Sequence, residues 1–105
     1  MTPDDVRALA LALPEVTEAD HHGRPSFRLG TAVLATLWAP GILNVMLGES
    51  DARAAEGGAV SLLWWGKRLS GVQVDLAAAD EATVADLLEE SWNRRAPARL
   101  RRGRP

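Results

Sequence analysis

A serine at position 50 lies in the string GESDA, residues 48–52, which is similar to the nucleophile elbow of a hydrolase. Ala52 replaces the final glycine of that motif, and a chain of 105 residues has no room for the large parallel sheet that the motif requires. The only histidines, His21 and His22, precede Ser50, which is opposite to the order of catalytic residues in that fold. Ser50, or its neighbour Asp51, is therefore predicted to cap a helix, and the chain is predicted not to be an enzyme.

The two histidines lie close in sequence to the carboxylates of Glu18 and Asp20. Adjacent histidines without a third spaced His or Cys ligand do not form a defined coordination shell. We therefore predict no metal and no cofactor, and interpret the histidines as loop residues whose packing can respond to pH. The dipeptide Gly66-Lys67 is similar to the end of a phosphate-binding loop, but the first glycine and the magnesium-binding hydroxyl of that motif are missing. It is predicted to be a hairpin turn.

Charge is divided unevenly along the chain. Residues 1–93 contain all fourteen acidic residues and six basic ones, a net charge of −8, whereas residues 94–105 contain six arginines and no acid. As a flexible tail these arginines would contact phosphates without reading bases. Equally, they can pair with the acidic body. The residues predicted to bind nucleic acid are Arg24, Arg28, Lys67, Arg68, Arg94, Arg95, Arg99, Arg101 and Arg102.

The four tryptophans are the second group of residues suited to binding. Trp38 and Trp92 are predicted to lie in the core, whereas Trp64 and Trp65 are neighbours in a strand and must point to opposite faces. An exposed Trp beside the two basic residues that follow would combine stacking with positive charge, which suits single-stranded nucleic acid, a peptide or an aromatic ligand. The alternative is that both tryptophans cover the hydrophobic floor of a sheet.

Periodicity and turn residues predict the elements that position these side chains. Thr2 is predicted to cap a helix over residues 3–13, and Asp80 a helix that ends near Arg95, before Pro97. A polar connection is predicted from 17 to 23, and a short helix over 51–56. Strands are predicted at 26–29, 32–38, 42–47, 60–65 and 69–76. The order α-β-β-β-α-β-β-α predicts a two-layer α+β fold with an antiparallel five-stranded sheet covered on one face by helices.

Length and composition favour one globular domain over residues 1–105, with a basic tail at about 94–105. Apolar residues make up 47% of the chain and charged residues 25%, which is ordinary for a globular protein. The longest apolar stretch is interrupted by Pro40-Gly41 and cannot span a membrane. Cysteine and a secretory signal are both absent, so a cytoplasmic protein is expected, either a monomer or a weak homodimer.

Several strings, taken in order, resemble the MmcQ/YjbR family. They are LPEVTE at 13–18, HGRPSFRLG at 22–30, WGK at 65–67, VDL at 74–76 and LEESW at 88–92, and together they extend over nearly the whole chain. The resemblance implies a two-layer α/β fold related to secretion-chaperone folds, and DNA binding as the function. The sequence pI of about 5.6 is unlike that of a committed DNA binder. An alternative therefore stays open: a protein-interaction or chaperone-like module that docks a partner or a second copy on an apolar, Trp-bearing surface.

Overall fold

Six strands in one antiparallel sheet and four helices make up residues 1–103, the part of the chain that the computed structural model describes. The sheet order is β1-β2-β3-β4-β6-β5. In chain order the elements are α1 (Pro3–Leu11), β1 (Val16–His21), β2 (Arg24–Leu29), β3 (Ala32–Ala39), β4 (Ile42–Met46), α2 (Glu49–Ala55), β5 (Val60–Trp65), β6 (Arg68–Asp75), α3 (Glu81–Arg95) and α4 (Ala98–Arg101). None of these helices is long and apolar enough to cross a lipid bilayer.

The predicted α+β class and antiparallel sheet are confirmed, but the strand count of five and the element order are wrong. The predicted polar connection at 17–23 contains β1, an edge strand in which only Val16 is buried, so its sequence carries little apolar signal. His22 and Gly23, both with positive φ, close a two-residue hairpin to β2. The short helix α4, after Pro97, was not predicted.

The predicted helix caps are correct at two of three positions. Thr2 and Asp80 accept hydrogen bonds from the backbone N–H groups of Asp5 and Thr83. The prediction for Ser50 is wrong, because the chain enters α2 at Gly48, whose carbonyl already accepts from the N–H of residue 52 at 2.9 Å. Ser50 lies within the first turn instead.

One face of the sheet is apolar and packs against the helices. Strand register aligns five apolar residues across five neighbouring strands, and side chains at paired positions share a face. From β2 to β5 this row consists of Phe27, Ala35, Val45, Val72 and Leu62. Helix α3 adds Val84, Leu88 and Trp92 to the same core. The prediction that Trp92 is a core residue is confirmed: it is fully buried, and its Nε1 donates to the Pro14 carbonyl at 2.9 Å.

A β-bulge at Leu34 decides which way β3 presents its side chains. Phe27 pairs with Ala35, but the next residue of β2, Arg28, pairs with Val33, so Leu34 is the extra residue. Its carbonyl accepts a hydrogen bond of 3.1 Å from the buried Ser91 hydroxyl of α3. The bulge shifts by one residue the alternation of side chains between the two faces of the sheet. Each side chain after the bulge therefore points to the face opposite the one it would have in an uninterrupted strand.

The prediction that Trp38 lies in the core is therefore wrong. An unbroken alternation from Leu34 would direct residues 36 and 38 to the helix side, whereas the bulge brings Ala35 and Leu37 there instead. Trp38 is itself the extra residue of a second irregularity between β3 and β4, and 46% of it is exposed. The face opposite the helices, to which Thr36 belongs, is called the open face below.

We expect the Ser91→Ala substitution to destabilise the fold by about 1–2 kcal/mol, because it leaves the buried Leu34 carbonyl without its hydroxyl partner. Urea unfolding followed by fluorescence measures the change. Ser61→Ala is the matched control, since Ser61 is exposed, and a change within about 0.5 kcal/mol is expected there. Equal effects at the two sites would contradict the role of Ser91 at the bulge.

Gly71 is required by the close approach of β6 to β4. A methyl group at this position would clash with the carbonyl oxygen of Val45 and press on the N–H of Leu47. Gly71 also belongs to the open face, where it pairs with Met46 on one side and Leu63 on the other.

The Gly71→Ala variant should lose at least about 2 kcal/mol of unfolding free energy, because a backbone shift is the only relief for the clash with Val45. Gly41→Ala provides the comparison, since a methyl group there meets no atom within 4 Å. Chemical denaturation of both variants tests this. Similar stabilities would show that β6 can move away from β4 at little cost.

Candidate functional site

A row of polar side chains crosses the open face. Register connects residues of β1, β2, β3, β4, β6 and β5 in one line, and all but the first are polar: Ala19, Ser26, Thr36, Asn44, Gln73 and Ser61. Three of them, Ser26, Thr36 and Asn44, are buried, which is unusual for polar residues on the face opposite the helices. Larger side chains on either side of the row must therefore enclose it.

Hydrogen bonds hold part of this row in place. Gln73 Nε2 donates to Asn44 Oδ1 at 2.9 Å, which fixes the orientation of the Asn44 amide. Ser26 Oγ donates to the Ala19 carbonyl at 2.9 Å and accepts from Arg28 Nε at 3.1 Å. The row is thus a set of oriented donors and acceptors.

Two tryptophans each border two hollows, of which the central one lies on the open face and the other two extend past the sheet to residues of the helices. The central hollow, of about 100 Å³, is lined by Thr36, Asn44, Met46, Trp38 and Trp65, together with two further side chains, His21 and Val33. Trp38 also lines a hollow of about 290 Å³ with Arg24, and Trp65 lines one of about 280 Å³ with Arg68, Arg94 and Arg95. We call these the Arg24 hollow and the arginine hollow. The three lie in series, with an indole between each pair and guanidinium groups at both ends.

At one end, Arg24 is stacked on Trp38. Its Cζ lies 3.7 Å from the ring centroid, and its Nε donates to the Trp38 carbonyl at 2.9 Å. A guanidinium over an indole face is attracted by the ring quadrupole. These two contacts hold a half-exposed indole in a defined orientation, as a stacking platform requires.

At the other end, three guanidinium groups converge beside Trp65. Burial, followed by the charges of Arg95 and Arg68, lowers the pKa of the Arg94 guanidinium, and the charge of Asp51 opposes this with a smaller effect. None of the three arginines forms an ion pair with an acidic side chain of residues 1–103. Glu49 borders the same hollow, but its carboxylate is bonded to Arg53. Like charges gathered without a direct counterion form a site that an anion would stabilise.

The other residues predicted to bind nucleic acid are dispersed. Arg28 lies on the open face, but it is bonded to Ser26 and to the carbonyl of Asp20. Lys67 is on the exposed β5–β6 turn and lines none of the three hollows. The predicted hairpin turn at Gly66-Lys67 is confirmed, with Gly66 at a φ of 62°.

The predicted basic tail is partly helical. Arg94 and Arg95 form the last turn of α3, and Arg99 of α4 makes a two-pronged ion pair with Glu15 at 2.9 and 3.2 Å. Arg99 therefore pairs with an acidic residue of the body, as the second alternative expected. Arg101 and Arg102 are exposed, and Arg104 lies outside the described residues.

Trp64 and Trp65 differ in their surroundings, although 47% of the first and 58% of the second is exposed. Trp64 is on the side of α2, where the Cζ of Arg53 lies 5.9 Å from its ring centroid. Trp65 is paired with Arg68 and lines both the central hollow and the arginine hollow. The open-face site thus contains Trp65 and excludes Trp64.

Sequence reasoning missed Trp38, Thr36 and Asn44 as site residues. Thr36 and Asn44 did carry a signal, since each is a polar residue inside a strand of otherwise apolar residues. The histidines lie at the end of β1 and in its turn, and within residues 1–103 no group of three His, Asp or Glu side chains is placed to hold a metal ion.

Comparison of the chain with protein-family models, with curated proteins and with solved structures found no significant match. The function therefore has to be inferred from the geometry of the site itself.

The Glu15–Arg99 pair makes one titration predictable. The hydrogen bond from Arg99, followed by its charge, lowers the pKa of the Glu15 carboxyl below its usual value of 4.5. The stabilisation by this pair is thus present above the unfolded-state pKa and is lost as pH falls through the folded-state pKa. NMR titration should give a Glu15 midpoint below 4.5 that rises in Arg99→Gln and is unchanged in Arg101→Gln. An unchanged midpoint in Arg99→Gln would mean that α4 is not held to Glu15 in solution.

Proposed function

We propose that this chain binds single-stranded DNA along its open face, without catalysis, as a member of the MmcQ/YjbR family that its sequence resembles. The relation to secretion-chaperone folds is part of the same proposal. The observation that supports DNA binding best is the series of three hollows separated by Trp38 and Trp65, with arginines at both ends. A single strand carries flat bases on a sugar-phosphate backbone, so it offers rings to the two indoles and phosphates to the guanidinium groups.

Each part of this surface matches one part of a single strand. Exposed indoles stack with bases of any identity, and such contacts contribute about 1–3 kcal/mol per base. The guanidiniums of Arg68, Arg94 and Arg95 are suited to a phosphate, for which arginine offers paired N–H donors. Because bases in a duplex are already stacked and paired, they cannot stack on Trp38 or Trp65, so the proposed ligand is a single strand.

The acidic composition does not oppose this proposal, because the charges are segregated. The open face carries Arg24, Arg28 and Arg68, and the only acid that strand register places on it is Asp75, at the far end of β6. Acidic side chains such as Glu18, which is bonded to Arg7 of α1, lie on the helix side. A polyanion approaching the open face meets a cationic surface on a molecule whose net charge is negative.

The test is fluorescence-polarisation binding of a labelled 12-nucleotide single strand and of its duplex to four proteins: wild type, Trp65→Ala, Trp64→Ala and Arg94→Gln. We expect Trp65→Ala to weaken single-strand binding roughly 5- to 100-fold, through loss of one stacking contact. Trp64→Ala is the matched control, a neighbouring exposed indole outside the hollows, and should change the affinity less than twofold. The duplex should bind more weakly than the single strand.

A salt series on the same proteins tests the phosphate contact. In Arg94→Gln the slope of log K against log salt should become shallower by about 0.7, as expected for one phosphate contact to a single strand. Equal losses for the two Trp variants, or preference for the duplex, would contradict the open-face site.

The second candidate is a protein-interaction module, favoured by the exposure of three tryptophans, Trp38, Trp64 and Trp65. A protein partner would contact Trp64 as well as the open face, whereas the proposed DNA strand would contact the open face alone. Absence of DNA binding, together with self-association that Trp64→Ala abolishes in sedimentation experiments, would favour it.

A further inference from the structure

The central hollow has a polar floor between two aromatic walls. Thr36 and Asn44 form the floor and are only 5% and 4% exposed, whereas Trp38 and Trp65 rise on either side. Trp65 belongs to β5, yet it lines this hollow together with residues of β3 and β4.

The floor presents two hydrogen-bonding atoms that have no partner within residues 1–103. Asn44 Oδ1 is engaged by Gln73, which leaves Nδ2 as the available donor, and the Thr36 hydroxyl makes no hydrogen bond to the described part of the chain. Within residues 1–103, every side-chain N or O atom that is completely buried has a hydrogen-bond partner. Both atoms therefore retain contact with solvent, and the hollow that they line provides it. Polar groups held this deeply are normally hydrogen-bonded, so the hollow is suited to a polar ligand.

The size of the hollow limits what can enter. At about 100 Å³ it is well below the roughly 300–1,000 Å³ of pockets for drug-sized ligands. A volume this small suits a single six-membered ring better than the two fused rings of a purine.

We propose that the central hollow is a pyrimidine-selective base pocket, which rests on the proposed single-strand binding and adds to it a preference for thymine and cytosine. Asn44 Nδ2 donates to the O2 carbonyl that every pyrimidine base carries. Position N3, next to O2, is a donor in thymine and an acceptor in cytosine, and the Thr36 hydroxyl matches either because it can donate or accept. The pocket therefore accepts both pyrimidines, and its size disfavours adenine and guanine.

The test uses nine-nucleotide strands of deoxyadenosine whose central position is thymine, cytosine, adenine, guanine or an abasic spacer. Identical flanks remove the differences in self-stacking that affect homopolymers. Fluorescence-polarisation titrations of the intact chain should show about tenfold tighter binding for central thymine and cytosine than for adenine, guanine or the spacer. Thymine and cytosine should agree within about threefold.

Two further measurements tie the preference to the floor. Thr36→Val keeps the shape of the side chain but removes its hydroxyl, and should reduce the pyrimidine advantage to less than threefold. A strand with central N3-methylthymine should lose the advantage on the unaltered protein, which covers the case in which Thr36→Val does not fold.

The outcomes separate this inference from the proposal on which it depends. If every strand binds with equal affinity, the pyrimidine pocket is refuted while single-strand binding stands. If none of the strands binds, both are refuted. A pyrimidine advantage that persists with N3-methylthymine and in Thr36→Val would assign the preference to stacking and overturn the role of the polar floor.

Discussion

The β-bulge at Leu34, held by the hydroxyl of Ser91, is the constraint on which both faces of the sheet depend. Because side chains alternate along a strand, one extra residue reverses the direction of every side chain that follows it. Ala35 and Leu37 consequently face the core beneath the helices, whereas Thr36 faces the open side. The buried hydrogen bond from Ser91 satisfies the carbonyl that the bulge displaces, so the helix and the irregular strand stabilise each other.

The open face has a composition that folding alone does not require. Burying polar groups such as Asn44 and Thr36 stabilises a protein only when they find hydrogen-bond partners, and an apolar floor would meet the needs of packing equally well. Gathering Arg68, Arg94 and Arg95 beside Trp65 is likewise unfavourable in the absence of an anion. Features that destabilise the fold and are concentrated in one part of the surface are typical of binding sites. Here the polar floor and the arginines line two hollows that share Trp65.

Predictability from sequence varied with the range of the interaction concerned. Trp92 was assigned correctly because it continues the helical apolar stripe of α3, a local pattern. Trp38 was assigned wrongly because its direction depends on the pairing of β3 with β2 and β4, which are irregular at Leu34 and at Trp38 itself. The exposure of Trp64 and Trp65 was foreseen only as an alternative for one of them, whereas both are exposed, one on each side of the sheet.

By itself, the sequence determined the α+β class, the antiparallel sheet, the starts of α1 and α3 and the set of basic and aromatic residues available for binding, because periodicity, caps and turns act over a few residues. It identified Trp65 and the arginines of the site as candidates but did not show that they meet. Only the tertiary structure decided that Arg68, from the β5–β6 hairpin, and Arg94, from the last turn of α3, lie beside one indole and that Arg99 lies elsewhere, paired with Glu15. Such contacts depend on strand order and on helix packing. Local sequence patterns do not encode these contacts because the contacts join segments that are far apart in the chain.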